Sequence, residues 1–406
     1  MRRALLRIVP EFRPSSWLDM LLQDVRFAVR SLRRSPFLAC TTVLTLALGI
    51  GLNTGVFTMI NAVLFRARVD KDPDCFVRLY AQNSSSSVPQ GQLGGMSLAD
   101  YRVYRAAQSL SDLAAWHQIE AMLGGEISGD VRALLVSCNF FSVYGLERPK
   151  LGRLFLESEC SQSGAGPVAV LSEEIWRNRF AADPQILGRI ITLNRHAFTV
   201  VGVAPAHFSG RVNNARIWVP YTMQSHLVSG GDLFAQTGTQ WLIAEGRLKS
   251  GYSRSAAQAE LNVIARQQDR FQPGRRTALI VTNGSMMEEP GLRAQSILAV
   301  SLWMGALMLL LLIACANVTT LLLSRAAARQ REVAIRLSLG ASRTRLLRML
   351  LTESLILAAT AGAISVYLAY AVPELVNRMM LAEPVSYPLT PDLRVFAYLA
   401  GVTFVA

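Results

Sequence analysis

The residue types that carry most protein chemistry are sparse in this chain of 406 residues. No HExxH or comparable ligand spacing is present, and the five cysteines are scattered along the chain. No GxSxG stretch marks a nucleophilic serine. The sequence therefore predicts no catalytic residue and no metal site, and it leaves four histidines as ordinary domain residues: His117, His196, His207 and His226.

Nucleotide chemistry on this chain is not indicated either. A phosphate loop needs a lysine inside a glycine-rich turn, and Lys71, Lys150 and Lys249 stand in no such setting. The glycines between positions 49 and 55 have the wrong spacing and follow no predicted strand. We therefore expect neither an enzyme nor a cofactor.

The densest group of charged side chains is the stretch from Arg325 to Glu353, which holds seven arginines and two acidic residues. Its apolar residues still recur at helical spacing, as at Leu347 and Leu351. Glu332 stands four residues before Arg336, the favourable order for a helical ion pair.

A glycine divides this stretch into two parts. Gly340 can end one helix in a left-handed cap, and Ser342 can begin the next. We therefore predict two short basic helices, hinged at Gly340, that present a surface to a partner. The alternative is a passive topology signal, since basic loops of this length stay on the cytoplasmic side.

Long uncharged runs flank this stretch and predict membrane spans, for which about 20 apolar residues suffice. Residues 35–65 and 294–324 are two uncharged runs, and residues 354–373 supply a third. The chain is 51% hydrophobic, with a mean hydropathy of +0.30. This composition is typical of a membrane protein.

The net charge of +13 does not indicate nucleic-acid binding, because the arginines concentrate beside the apolar runs. Residues 18–32 have apolar positions at helical spacing, which predicts an amphipathic helix on the inner membrane surface. Four arginines on or beside this helix are placed to reach lipid phosphates: Arg26, Arg30, Arg33 and Arg34.

The region from Arg66 to Arg293 has 24 basic and 20 acidic residues and no further span, so we expect a separate folded domain. The serines at 84–87 predict a surface loop. Mixed α+β structure follows from the patterns: strands at Ala133–Ser137, Val168–Leu171, Ile190–Leu193, Phe198–Val203, Trp241–Leu248 and Thr277–Val281, and helices at Leu98–Gln108, Glu173–Phe180 and Ser255–Gln268.

Small residues four apart on a membrane helix allow close helix contact. Gly51 with Gly55, and Ala358 with Gly362, form two such pairs. Asn317 is expected to form an interhelical hydrogen bond.

Cys40 and Cys315 lie in predicted spans. Among the remaining cysteines one disulfide is possible, and the pairing stays open: Cys75, Cys138 and Cys160.

The phrase REVAIRLSLGASRTRLLRMLLTES closely resembles the cytoplasmic loop of MacB/FtsX-type permeases. Phrases such as PVAVLSEEIWRNRF and LGRIITLNRHAFTVVGVAP resemble the extracytoplasmic core domain of the same permeases, in the same order. The opening DVRFAVRSLRRSPFLACTTVLTLALGIGLNTGVF is similar to the long duplicated permeases typical of acidobacteria.

The resemblance implies an integral membrane α-helical bundle with a large inserted α+β extracytoplasmic domain (a MacB-like periplasmic core domain). It implies a separate ABC ATPase that docks on the loop, and a second permease half or copy beside it in the bilayer of the bacterial inner membrane. The residues that match the loop motif are Arg331, Glu332, Ala334, Arg336, Gly340, Ala341 and Arg345.

On this basis we expect the permease subunit of an exporter that transmits ATP-driven motion to the outside domain, for antibiotics, peptides or lipophilic compounds. The alternative is an FtsX-like transmitter that regulates an extracytoplasmic enzyme.

The chain reads as an N-terminal half, ending inside a fourth span. Its predicted parts are 1–35 cytoplasmic tail and interfacial helix, 36–65 span, 66–293 outside domain, 294–324 span, 325–353 coupling helices, 354–373 span, 374–394 outside loop, and 395–406 incomplete span.

The charge pattern predicts a topology with the N-terminus inside, residues 66–293 outside and residues 325–353 inside. Cysteines placed at Ser85 and Ser338, in a background without the native cysteines, test it with a membrane-impermeant reagent. We expect labelling of position 85 in intact cells and of position 338 only after lysis. The reverse pattern would contradict this topology.

Overall fold

A computed structural model describes residues 24–30, 32–65, 69, 71–85, 88–124, 129–209, 215–236, 238–285, 288, 290–291, 293–328, 330, 334–335, 338, 343–379 and 389–405. The chain divides into two compact units. The helical unit comprises Met1–Ala62, Ala299–Met379 and Leu389–Ala406, and the sheet unit comprises Val63–Leu298 and Met380–Pro388.

The elements follow in chain order. The helices are α1 (Pro36–Ile60), α2 (Leu98–Tyr104), α3 (Phe140–Val143), α4 (Glu173–Arg179), α5 (Ala206–Ser209), α6 (Gln224–Leu227), α7 (Arg254–Asp269), α8 (Arg293–Ala328), α9 (Arg343–Met379) and α10 (Leu393–Val405). The strands are β1 (Phe76–Ser85), β2 (Val88–Gly94), β3 (Leu110–Leu123), β4 (Gly129–Val136), β5 (Leu151–Gly152), β6 (Val168–Ser172), β7 (Ile190–Leu193), β8 (His196–Ala204), β9 (Ile217–Pro220), β10 (Ile243–Leu248) and β11 (Arg276–Thr282).

Three helices of the described part are long and apolar enough to cross a membrane: α1, α8 and α9. A π-helical turn, Asn61–Phe65, continues α1, and α10 is a shorter apolar helix. Residues 24–30, here called the N-terminal segment, are helical as well. Buried apolar side chains from α1, α8, α9 and α10 form the core of the helical unit, among them Leu46, Ile50, Leu311, Ala361 and Leu399.

Helix α9 is longer than the predicted third span at 354–373. It begins at Arg343 and ends at Met379, with Pro373 inside it. A proline is tolerated in a membrane helix because neighbouring helices and local adjustments satisfy the freed backbone groups. The second predicted basic helix is therefore continuous with the span and does not form a separate element. The hinge at Gly340 and the cap at Ser342 lie outside the described residues.

The side chain of Asn317 on α8 is exposed in this chain. The interhelical hydrogen bond predicted for it is therefore not formed with the helices present here. The sequence indicates that a polar side chain in a span needs a partner. It does not show whether the side chain points toward another helix of the same chain.

The sheet unit is built on eleven strands in the order β11-β1-β10-β3-β4-β9-β6-β8-β5, with β2 beside β1 and β7 beside β3 and β8. One face packs against α2 and α7 in a large apolar cluster that includes Leu113 and Leu261. The other face packs against an aromatic cluster that includes Phe140, Phe208 and Trp218. A sheet with a core on each face is typical of α+β domains.

The six strands and three helices predicted for this unit are confirmed, with ends shifted by a few residues. The serine-rich stretch at 84–87 is not simply a loop, because β1 runs to Ser85 and β2 starts at Val88. The sequence pattern also missed β3, whose middle residues, Leu113–Trp116, are buried on both faces. A strand buried on both faces lacks the polar–apolar alternation by which strands are recognised.

Helix α7 protects the outer edge of the sheet at β11. The Asn262 amide donates to the carbonyl of Leu279 and accepts from its N–H, both at 2.9 Å. The amide oxygen of Gln258 accepts from the N–H of Val281 at 3.0 Å. Side chains thus take the place of a neighbouring strand, which removes the exposed hydrogen-bonding groups that favour aggregation.

A disulfide joins Cys138 to Cys160, and Cys75 is a free thiol. The two cysteines are 22 residues apart, so the bond closes a loop that holds β5. A loop of this length corresponds to about 3 kcal/mol of stabilisation through the entropy of the unfolded chain. The structure thus decides the pairing that the sequence left open.

Replacing Asn262 with leucine removes both hydrogen bonds to Leu279 and leaves an edge N–H and carbonyl unsatisfied. We expect unfolding of the sheet unit to become easier by about 1–3 kcal/mol, measured by thermal or denaturant unfolding. Gln267→Leu is the matched control, since Gln267 is an exposed residue of the same helix. Equal losses in both variants would contradict the proposed edge protection.

Candidate coupling and helix-packing sites

The predicted coupling residues lie mostly outside the described part of the chain. Ala334 is helical and exposed, and Arg345 lies in the first turn of α9. The structure therefore does not test the contacts predicted for this motif. The others are outside the described residues: Arg331, Glu332, Arg336, Gly340 and Ala341.

The basic start of α9 carries an exposed apolar surface. Leu347, Leu350 and Leu351 are all exposed, at 48–61%. Ile335, in the preceding stretch, is exposed as well. Large apolar side chains grouped among arginines are typical of a surface that binds a partner.

Two ion pairs lie at the base of this stretch. Arg325 of α8 contacts Glu353 of α9, with 2.6 Å between Nη1 and Oε1. Arg348 of α9 contacts Asp24 of the N-terminal segment, with 2.6 Å between Nε and Oδ2. Sequence reasoning named Arg325 and Glu353 only as the limits of the basic stretch. The signal available in the sequence was that Asp24 and Glu353 each lie next to an apolar segment. Each of these acids could therefore pair with an arginine of another segment.

The predicted glycine pair on α1 faces α9. A Cβ atom at Gly51 would lie 2.8 Å from the Cβ of Leu368, and one at Gly55 would lie 2.6 Å from the Cβ of Val372. Real Cβ atoms do not approach that closely, so only glycine permits this helix separation. The backbones of α1 and α9 are therefore in close contact.

The second predicted pair lies on α9 itself. A Cβ atom at Gly362 would lie 3.0 Å from Cγ2 of Thr403 on α10. Ala358 is half-buried. The structure thus brings Gly362 against α10 and Gly51 against α9, and the role of either pair in assembly stays a prediction.

Three hydrogen bonds that join the helices of this unit were not predicted from the sequence. The hydroxyl of Tyr398 on α10 donates to Asn53 on α1 at 2.5 Å, and the amide of Asn61 donates to Asp392 at 2.9 Å. The hydroxyl of Ser365 on α9 donates to the carbonyl of Ala47 at 3.1 Å. These bonds join residues far apart in sequence, so no local pattern indicates them.

The sheet unit has a charged cleft of about 340 Å³ beside α4. Arg132 pairs with Glu120 at 3.3 Å, and Arg216 pairs with Glu174. A ligand bound here would have to displace ion pairs that already exist. The cleft therefore gives no chemical class of substrate.

Glu173, at the start of α4, is a carboxyl with several hydrogen-bond donors around it. Burial alone would raise the pKa of this carboxyl, but hydrogen bonds from Lys150, Arg177 and the N–H of Ala206 hold it below its usual value. It therefore stays ionised at neutral pH. The contacts with Lys150, directly before β5, and with Ala206, at the start of α5, tie α4 to these segments, which is a structural role.

Three histidine side chains are described by the structure: His117, His196 and His226. Burial lowers the pKa of His117, whose ring packs edge-on against Trp241 at 5.7 Å. The rings of His196 and His226 lie 5.1 Å apart on the surface. Among the described residues, no group of three His, Cys, Asp or Glu side chains is placed to hold a metal ion.

The sequence matches two family descriptions. The MacB-like periplasmic core domain matches residues 39–264, and the FtsX-like permease C-terminal region matches residues 304–406. The first match begins inside α1 and covers the sheet unit as far as α7, and the second covers most of α8 together with α9 and α10.

Curated relatives include the macrolide export ATP-binding/permease protein MacB of Burkholderia pseudomallei (strain K96243), which is 28% identical over 246 residues, 59% of this chain and 35% of the relative. MacB of Burkholderia thailandensis is 29% identical over 245 residues, with 59% and 35% covered. The chain thus matches about a third of the length of these relatives.

Among solved structures, the periplasmic region of MacB from Actinobacillus actinomycetemcomitans is 16% identical, with a TM-score of 0.40, over 52% of this chain and 89% of that chain. The extracellular domain of the ABC-type transporter YknZ from Gram-positive bacteria is 12% identical, with a TM-score of 0.38, over 50% and 98%. The fold class predicted from the sequence is confirmed: an apolar helical membrane bundle with a large inserted α+β extracytoplasmic domain.

Replacing Gly51 with alanine adds a Cβ that meets Leu368, so α1 and α9 must separate. We expect a loss of thermal stability in detergent. Gly305→Ala on α8 is the matched control, because a Cβ there meets nothing within 4 Å. It should be neutral or stabilise by up to about 1 kcal/mol. If both alanine variants behave alike, the glycine contact does not limit the helix separation.

Proposed function

Because the chain belongs to the family of membrane permeases with a MacB-like periplasmic core domain and an FtsX-like permease region, we propose that it is the membrane subunit of an ABC-type exporter. In this proposal the chain itself is not an enzyme. A separate ABC ATPase hydrolyses ATP, and the permease transmits the resulting motion to the extracytoplasmic domain.

The observation that carries this proposal is the form of α9. The helix continues without a break from its arginine-rich start to Met379, 37 residues in all. A helix of that length extends about 55 Å, more than the hydrocarbon core of about 30 Å. Its start therefore supports the role of a coupling element, since a force on the exposed Leu347 and Leu351 would act along one continuous helix.

Close contact between α9 and α1 supports the next step. Because Leu368 and Val372 pack directly on Gly51 and Gly55, a displacement of α9 would move α1 with it. The chain leaves α1 to enter the sheet unit and returns through α8. We propose that these two helices carry the motion to the outside domain, and that substrate is handled there.

The exposed apolar surface of α8 indicates partners besides the ATPase, because such a surface is covered by lipid or by another helix in a membrane. Leu302, Trp303 and Leu309 are exposed at 61–67% in this chain. We propose that lipid and a second permease copy or half cover this surface in the bacterial inner membrane, with the N-terminus in the cytoplasm. The MacB relatives are named for macrolide export, and we propose antibiotics, peptides or lipophilic compounds as the substrate class here.

The coupling role predicts that Arg336→Glu and Gly340→Val weaken the ATPase complex. The first change disturbs a charged docking face, and the second places a β-branched residue where a left-handed cap is expected. We expect affinity to fall about tenfold, or about 1.4 kcal/mol, at unchanged membrane abundance. The measurement is co-purification. The ATPase that is recovered with the unmodified chain is tested for recovery with each variant.

The control is Arg378→Glu, the same charge change at the other end of α9, where the side chain is 73% exposed. It should leave ATPase recovery unchanged. A passive topology signal predicts no effect of any of the three changes, because many arginines remain to mark the cytoplasmic side. Unchanged recovery and unchanged stimulated turnover in all three variants would remove the coupling hypothesis.

A further inference from the structure

The ends of the basic stretch are joined by a buried ion pair. Arg325 and Glu353, here called the loop clasp, have side chains only 10% and 9% exposed. The separation of 2.6 Å between Nη1 and Oε1 is that of a close ion pair. Attraction between opposite charges is therefore the main feature of this contact.

The position of the loop clasp along the helices matters. Arg325 lies three residues before the end of α8, whereas Glu353 lies ten residues inside α9. Residues 343–352 therefore extend α9 beyond the clasp by about 15 Å. This extension includes the exposed Leu347 and Leu351, to which the proposed function assigns the ATPase contact.

A second ion pair holds the same extension. Asp24 on the N-terminal segment contacts Arg348 at 2.6 Å, five residues before Glu353. The side chain of Asp24 is 11% exposed, and Ala28, one turn later, is fully buried. The N-terminal segment is thus packed against the part of α9 that precedes the clasp.

Burial decides what the loop clasp can do. Removing two charges from water is costly, and their attraction offsets that cost only when the geometry is good. Such a pair adds little net stability, but removing one of its charges is strongly unfavourable, so it selects one arrangement of the two helices. By contrast, the pair between Arg378 and Glu374 is 73% and 53% exposed and contributes little.

We propose that Arg325 and Glu353 are positioning residues that hold the cytoplasmic ends of α8 and α9 together, so that a force on the α9 extension moves both helices. This inference rests on the proposed function, because the force comes from the ATPase. Without the clasp, the same force separates the ends of α8 and α9 and is not passed to α8. Asp24 and Arg348 attach the N-terminal segment to the same moving part.

The clasp itself is tested without the ATPase, by distance measurement between spin labels at Ser324 and Thr344. Both side chains are exposed, and the full chain is studied in lipid nanodiscs with Cys40, Cys75 and Cys315 replaced by serine. Glu353→Gln keeps the shape of the side chain and removes its charge. We expect its distance distribution to be at least twice as broad as that of the parent chain.

Two further variants make the result specific. The charge swap Arg325→Glu with Glu353→Arg should restore the narrow distribution, because attraction between the two positions returns. Glu374→Gln removes the acid of the exposed pair on the same helix and should change nothing. If Glu353→Gln leaves the distribution unchanged, or if the swap does not narrow it, the loop clasp is overturned.

The coupling role is tested with the ATPase that co-purifies with the unmodified chain. In Glu353→Gln we expect recovery of the ATPase within twofold of normal and stimulated turnover at least fivefold lower, with turnover restored by the swap. A residue needed only for folding would lower recovery and turnover together. Normal turnover in Glu353→Gln overturns the inference and leaves the proposed function intact. If the unmodified chain recovers no ATPase, the proposed function fails, and the coupling role fails with it.

Discussion

The helical unit depends on the close approach of α1 and α9. Two glycines one turn apart, Gly51 and Gly55, leave room for the side chains of Leu368 and Val372. In lipid there is little hydrophobic gain from bringing two apolar helices together, so close van der Waals packing and hydrogen bonds must supply the attraction. The backbone contact brings Ser365 within hydrogen-bonding distance of the carbonyl of Ala47, which a larger residue at position 51 would prevent.

The charged side chains of the helical unit follow from the same constraint. An ionised group near the hydrocarbon region needs an opposite charge or a water-filled surface. Arg325 and Glu353 meet this need by pairing. Asp392, directly before α10, accepts hydrogen bonds from the Asn61 amide and from the N–H of Val395. Polar contacts thus hold the helix ends, and the hydrogen bonds of Ser365 and Tyr398 add to packing in the middle sections.

Much of this organisation was available from the sequence. Uncharged runs of sufficient length predicted α1, α8 and α9, because lipid admits only helices whose backbone groups are bonded internally. Alternating and helical patterns predicted β7, β8 and α7, since each has one face in the core. The resemblance in the loop and domain phrases indicated the permease family, which the two family matches confirm.

Pairing across the chain was decided only by the tertiary structure. The small-residue spacing showed which face of α1 allows close contact, but only the fold shows that Leu368 fills it. Tyr398 and Asn53 are 345 residues apart, and the basic stretch separates Arg325 from Glu353, so no local pattern could join them. Sequence determines the apolar length and periodicity of each segment because these depend on near neighbours. Contacts between distant segments depend on how the helices and strands pack together, which is a property of the whole fold.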